Sequence, residues 1–337
     1  MASHVARQAR FDIVNRKSDI VKRFWHLRRN RKRNAFEIKQ KGHEEPVHPI
    51  FVKGHRLIQA LGEHAKFKTV LTHPGIMGFD GCENVSKHYH ADEVHKLPRA
   101  LLRHILTNRG GGVPDDYYEV YGQMNPLGSM GNGAGGTSSS GSASKPSCGE
   151  DDPEGELVLG ELEQPRPATS IPEDAKFVVA LDRIKYPVNL AMLLNTLVVL
   201  GADCVFLTHG TCDPWNWKVL EASQGTHWDL PIVWGTPEEC IEMAKARNLE
   251  PLVAHVDASS PSCAPQDVDL NHESRGVMLV LGSEAHGPCE HFTDSCKHVS
   301  LPMADLVESL NVGVAGGILA HLVTQKVLPK FDPVPIM

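Results

Sequence analysis

The sequence predicts an α/β protein in which a small α/β unit precedes a larger, mostly parallel sheet with helices on both faces. Three observations carry this prediction. From residue 177 onward, short and almost unbroken apolar runs alternate with stretches of helical periodicity, the pattern of strands buried on both faces. Between residues 125 and 170 that pattern stops, and glycine, serine, proline and acidic residues take over. Ahead of the break, residues 49–105 show a second, shorter alternation of strand and helix patterns.

Taken in order, residues 1–46 form a basic arm. Residues 1–41 hold thirteen Lys/Arg against Asp12, Asp19 and Glu37, a net +10 in a chain whose total is −7, which leaves −17 for the rest. Such an arm seeks phosphate, serves as an arginine-rich targeting segment, or is a solvated, partly helical extension; the three readings stay open. Residues 47–124 are expected to form a small α/β domain, with strands at 49–52 and 69–72 and a helix at 54–61 that places Leu57, Ile58 and Leu61 on one face. Val94, Leu97, Leu101, Leu102 and Ile105 recur at helical spacing, with Pro98 near the start. Residues 125–170 read as a linker too polar to bury a core. Within it, Gly131–Gly136 matches G-x-G-x-x-G, but no strand precedes the match and no amphipathic helix follows, so it is not a dinucleotide site.

In the last domain, residues 171–337, strands are expected at 177–181, 204–207, 232–234, 252–256, 277–281 and 299–301. Helices are expected at 190–200, 217–223, 237–247 and 309–323. No apolar run reaches the roughly 18–20 residues of a membrane span; the longest, 190–205, is broken by Asn195, Thr196, Gly201 and Asp203. The eight cysteines contain no Cys-x-x-Cys pair, and they read as reduced thiols of an intracellular protein. His286, Cys289, His291, Cys296 and His298 are dense but fit no standard zinc spacing, so no metal site is assigned.

Ligands of such sheets gather beyond the carboxyl ends of the strands, which directs attention to two loops. The first, Leu281-Gly282-Ser283-Glu284-Ala285-His286-Gly287-Pro288, lets backbone approach a ligand and offers a carboxylate. The second runs Leu301-Pro302-Met303 through Glu308-Ser309-Leu310-Asn311-Val312-Gly313 into a small-residue helix. By themselves Ser309 and Asn311 read equally well as helix caps.

Together, the ordered pattern G-x-E-x-x-G, then L-P-M-x-x-x-x-E-S-L-N-V-x-V-A, resembles the second and third signature motifs of the SpoU/TrmH-like branch of the SPOUT RNA 2′-O-ribose methyltransferases. Upstream, Pro187-Val188-Asn189-Leu190 and the Lys218–Thr226 segment with Ser223 and Gly225 resemble earlier family segments. The resemblance covers about residues 177–325 and is nearest to the bacterial and mitochondrial ribosomal-RNA enzymes. Residues 48–121 are similar, more faintly, to the small substrate-recognition domain that often precedes this domain.

The resemblance implies a trefoil-knotted sheet, S-adenosylmethionine held by the knot loops, an RNA substrate (ribosomal RNA) and a homodimer. It implies cofactor contacts at Gly282, Leu301 and Leu310, and polar catalytic positions at Asn189, Glu284, Ser309 and Asn311. Four positions depart from the family. The glycine expected two residues after the motif asparagine is Ala191, and the second motif's usual asparagine and following glycine are Ser283 and Ala285. The arginine expected six residues after the first motif's asparagine is Asn195. Asparagine neither takes a proton near neutral pH nor carries charge. The expectation is therefore an RNA 2′-O-ribose methyltransferase; its alternatives are a catalytically impaired RNA-binding ribosome-assembly factor and a subunit completed by a paralogue in a heterodimer. A mitochondrial location, or otherwise a cytoplasmic one, is expected.

Overall fold

Six parallel strands build the larger sheet: β5 (Phe177–Asp182), β6 (Cys204–Thr208), β7 (Ile232–Gly235), β8 (Leu249–Ala254), β9 (Gly276–Gly282) and β10 (Lys297–Val299). They lie in the order β10-β8-β9-β5-β6-β7. The coordinates are a computed structural model, which describes residues 12–13, 15–29, 48–73, 89–107, 157–255, 264, 267–268, 274–283, 285–303 and 310–327.

The near-continuous apolar runs are explained by helices on both faces. Phe177, Val179 and Leu181 with Val277, Leu279 and Leu281 share one core with α4 (Pro187–Val199), α5 (Trp217–Ser223) and α8 (Val312–Val327). Their alternates Val178, Ala180, Met278 and Val280 pack on the other face with Cys240, Ile241 and Ala244 of α6 (Pro237–Ala246) and Phe292 of α7 (Glu290–Ser295). α4 opens with Pro187 at its first turn, where the missing N–H costs nothing. α6 opens on a capping box in which Thr236 and Glu239 satisfy each other's backbone N–H.

The chain leaves β5 towards β6 and leaves β9 in the opposite direction, towards β10. The strand order therefore reverses between β5 and β9, whose last residues Asp182 and Gly282 are register partners. An open α/β sheet forms its ligand crevice at such a reversal.

The small domain holds β1 (Pro49–Lys53), α2 (His55–Gly62), β2 (Phe67–Thr72), β3 (Ala91–Lys96), α3 (Arg99–Thr107) and β4 (Leu159–Glu163). Its sheet has the order β1-β4-β2-β3, with β4 antiparallel to both neighbours. Leu57, Ile58 and Leu61 of α2 cover one face. Leu101, Leu102 and Ile105 of α3, with Val21 and Phe24 of α1 (Asp19–Arg29), cover the other.

Three sequence expectations need correction here. Residues 125–170 do not read as linker throughout, because Leu159–Glu163 is an interior strand of the small sheet. Gly160 faces the Phe67 ring there, so closely that an added Cβ would come 2.8 Å from Phe67 Cδ1. The basic arm is not only a solvated extension, since α1 buries Val21 and Phe24. Val94 belongs to β3 and not to a helix; the helix starts beyond Pro98, whose ring disfavours helical geometry in the residue before it.

The two domains meet on α5. Lys53 Nζ lies 2.9 Å from Glu221 Oε1, and the Phe51 and Trp217 rings meet edge-on at 6.2 Å. Gly225, at φ +71°, lets Leu57 and Leu61 approach where an added Cβ would lie 2.8 Å from Leu61 Cδ2. Among the described residues no helix is long and apolar enough to cross a membrane.

Candidate active site

Asn189 is buried at the start of α4 and Asn311 is exposed at the start of α8. Although 122 residues apart, they touch: Asn311 Nδ2 donates to Asn189 Oδ1 at 3.1 Å. The Asn311 Oδ1 accepts from the Gly313 N–H at 2.9 Å, and its carbonyl accepts from the Ala315 N–H. The cap reading of Asn311 thus holds, one end of its amide capping α8 while the other meets Asn189.

α8 comes this close because its inner face is small. An added Cβ at Gly316 would lie 2.5 Å from Leu193 Cδ2 and 2.7 Å from Leu281 Cδ1. α8 is thereby seated against α4 and against the residue just before Gly282, so the three separated segments converge at the β5–β9 reversal.

Beyond Gly282 the chain doubles back. Gly287 N–H donates to Ser283 carbonyl at 2.9 Å and the His286 N–H to Ser283 Oγ at 3.3 Å. A Cβ at Gly282 would fall inside the backbone of Gly287 and Pro288. Gly287 itself, at φ +64°, opens onto space, where an added Cβ meets only His255 Nδ1 at 3.9 Å. Leu301 is half-buried beside the core, whereas Leu310, next to Asn311, is exposed. This set suits a ligand gripped by main-chain groups and apolar contact more than one held by charge. Glu284 and Ser309 lie outside the described residues, as do residues 304–308.

Asn195 is exposed on α4, on the face that also bears Met192 and Val199 and away from the buried Asn189. Ser223 and Gly225 lie apart from the crevice. Ser223 Oγ lies 3.1 Å from Nδ1 of the fully buried His227, whose Nε2 lies 3.0 Å from the Pro214 carbonyl. A carbonyl only accepts, so Nε2 carries the hydrogen and Nδ1 accepts from Ser223. Burial lowers this imidazole to about 4, with the Pro214 contact opposing, so the pair is a neutral structural hydrogen bond. His286 is exposed on the turn. Among the described residues no group of three or more His, Cys, Asp or Glu is placed to hold a metal ion.

Sequence reasoning missed Asp182, Arg183 and Thr208. A buried carboxylate at the crevice, Asp182 accepts from Thr208 Oγ1 at 2.6 Å and from the Cys289 N–H at 2.9 Å. The available signal was a charged pair placed directly after the apolar run 177–181.

Fold and site define an α/β protein whose last described helix packs against α4 and the end of β9, at the strand-order reversal of the larger sheet. Residues 176–321 match the model of the SpoU rRNA Methylase family. The chain is 28% identical over 148 residues to the 23S rRNA guanosine 2′-O-methyltransferase RlmP of Bacillus subtilis, covering 44% of this chain and 57% of that protein. It is 32% identical over 146 residues to a 23S rRNA adenosine 2′-O-methyltransferase of Streptomyces laurentii, covering 43% and 52%. It is 27% identical over 196 residues to the zebrafish protein named rRNA methyltransferase 3A, mitochondrial, covering 44% and 45%. The chain thus spans about half the length of these relatives. A crystal structure of the SpoU methyltransferase AviRb from Streptomyces viridochromogenes, in complex with the cofactor AdoMet, shares the fold over 92% of this chain and 98% of that one. Its TM-score is 0.62 at 18% identity.

Proposed function

We propose that the chain is an S-adenosylmethionine-dependent RNA 2′-O-ribose methyltransferase acting on ribosomal RNA. The observation that carries this is the Asn189–Asn311 contact beside the tight turn after Gly282, at the strand-order reversal. The donor supplies an electrophilic sulfonium methyl. In this reading Gly282, Leu301 and Leu310 bind it, through backbone approach at the turn and apolar contact at the leucines. The Asn189–Asn311 amides, with Glu284 and Ser309, orient the ribose; such positioning supplies a large part of a transfer rate. The acceptor proton has to leave to a group other than Asn195.

The arrangement in domains belongs to the same proposal. The small domain, 47–124 together with β4, receives RNA beside the basic arm 1–46, ahead of the methyltransferase domain 171–337, whose knotted carboxy-terminal segment is part of the reading. A mitochondrial location is supported by the arginine-rich arm and by the zebrafish relative's name. Met192 and Val199 on α4, with Val314 and Ile318 on α8, are large apolar side chains left exposed, and they fit a second copy of the chain. Ile318→Glu is expected to turn a dimer into a monomer in sedimentation equilibrium; a wild-type chain that sediments as a monomer removes the dimer.

Calorimetric titration with S-adenosylmethionine, followed by tritium transfer to total ribosomal RNA, tests the function. Binding and transfer are both expected. Binding without transfer favours the assembly factor or the subunit awaiting a paralogue, and no binding overturns the methyl-donor reading.

A further inference from the structure

Arg183 stands at the end of β5 in a left-handed conformation, φ +57°, which a branched or long side chain adopts only when its surroundings impose it. Here the imposing contacts are visible. Its N–H donates to Thr208 Oγ1 at 3.1 Å. Its Nε donates to Asp182 Oδ2 at 3.1 Å, and Nη2 lies 3.1 Å from the same oxygen. Nη2 also donates to the Gly287 carbonyl at 3.2 Å. Asp182, 1% exposed, uses Oδ2 for the Cys289 N–H as well and Oδ1 for Thr208. One carboxylate and one guanidinium therefore tie the ends of β5 and β6 to the return side of the turn that follows β9.

Charge-assisted hydrogen bonds are the stronger kind, and a buried carboxylate that keeps all its partners fixes one geometry. We propose that Asp182 and Arg183 are positioning residues that hold Gly287–Cys289, on the return side of the turn after Gly282, in their donor-binding shape. This rests on the methyl-donor reading of the crevice. Neither residue needs to touch the donor. Lysine could meet Asp182 but, as a point charge without the planar fork, could not also hold the Gly287 carbonyl in the same way.

The test uses the full chain and two readouts. In hydrogen exchange without ligand, Arg183→Ala is expected to speed exchange in a peptide spanning residues 283–291, with α6 and α8 unchanged. In calorimetry, Arg183→Ala is expected to weaken S-adenosylmethionine binding by about tenfold or more, with Arg183→Lys between it and wild type, while affinity for ribosomal RNA stays within about twofold. Arg183 is partly exposed, so its variants keep the test usable if Asp182→Asn does not fold. Equal donor affinity and equal turn exchange in wild type and Arg183→Ala overturn the clamp alone. A wild-type chain that binds no S-adenosylmethionine overturns the functional reading and the clamp's donor-positioning role with it.

Discussion

Replacing Gly282 with alanine is expected to weaken S-adenosylmethionine binding by at least about a hundredfold, which corresponds to about 3 kcal/mol. The new methyl would collide with main-chain atoms of Gly287 and Pro288, so no rotamer change relieves it. Nor can the turn move away freely, because Gly287 carbonyl and Cys289 N–H are tied to Arg183 and Asp182. The same substitution is expected to cost about 1–3 kcal/mol of stability, the usual range for overpacking, leaving a folded protein to titrate. Gly287→Ala is the informative contrast. It imposes about 1–2 kcal/mol of left-handed strain but adds its methyl to open space. It is expected to weaken binding less than Gly282→Ala does. Equal affinities for wild type and Gly282→Ala would show that the donor does not sit at this turn.

The large sheet was legible in the sequence because helices cover both its faces. Burial on both sides removes the polar alternation and leaves runs such as 177–181 and 277–281, which punctuation alone delimits. The small sheet was harder, for the same reason inverted. β4 carries Glu161 and Glu163 in an acidic neighbourhood, and average composition over 150–163 conceals five residues whose register is set by Phe51 and Thr69 on either side. β3, with the sequence ADEVHK, is a polar edge strand, and its Val94 satisfies a helical period as readily as a strand one.

The site was legible only in part. Spacing along the chain contains nothing to say that Asn189 and Asn311 meet; the resemblance named both only as polar catalytic positions. The Asp182–Arg183 network escaped because its partners Thr208, Gly287 and Cys289 come from two other, distant segments. The role of Asn195 as an exposed residue of an apolar helix face also depends on what surrounds α4. Sequence assigns it only as a missing arginine.

The second large effect falls in the small domain. Arg23→Ala is expected to destabilise that domain by about 2 kcal/mol and to free α1 from it. Glu161 is 1% exposed and pairs with Arg23. Its Oε2 and the neighbouring Thr69 hydroxyl have no hydrogen-bond partner among the described residues. Removing the partner of a buried charge costs about 3–5 kcal/mol; Arg23 is itself 37% exposed, so water compensates in part and the expected cost falls below that range, to about 2 kcal/mol. The cost belongs to the stranded carboxylate rather than to a lost attraction, so Arg23→Ala combined with Glu161→Gln is expected to recover much of it. Thermal unfolding with hydrogen exchange over residues 19–29 measures both effects. An α1 that stays protected in Arg23→Ala would mean that Val21, Phe24 and the bond from Arg28 to the Ile105 carbonyl suffice to hold it. If α1 detaches instead, the basic residues of the arm lose their fixed place beside the small domain. RNA affinity is then expected to fall while S-adenosylmethionine affinity stays unchanged.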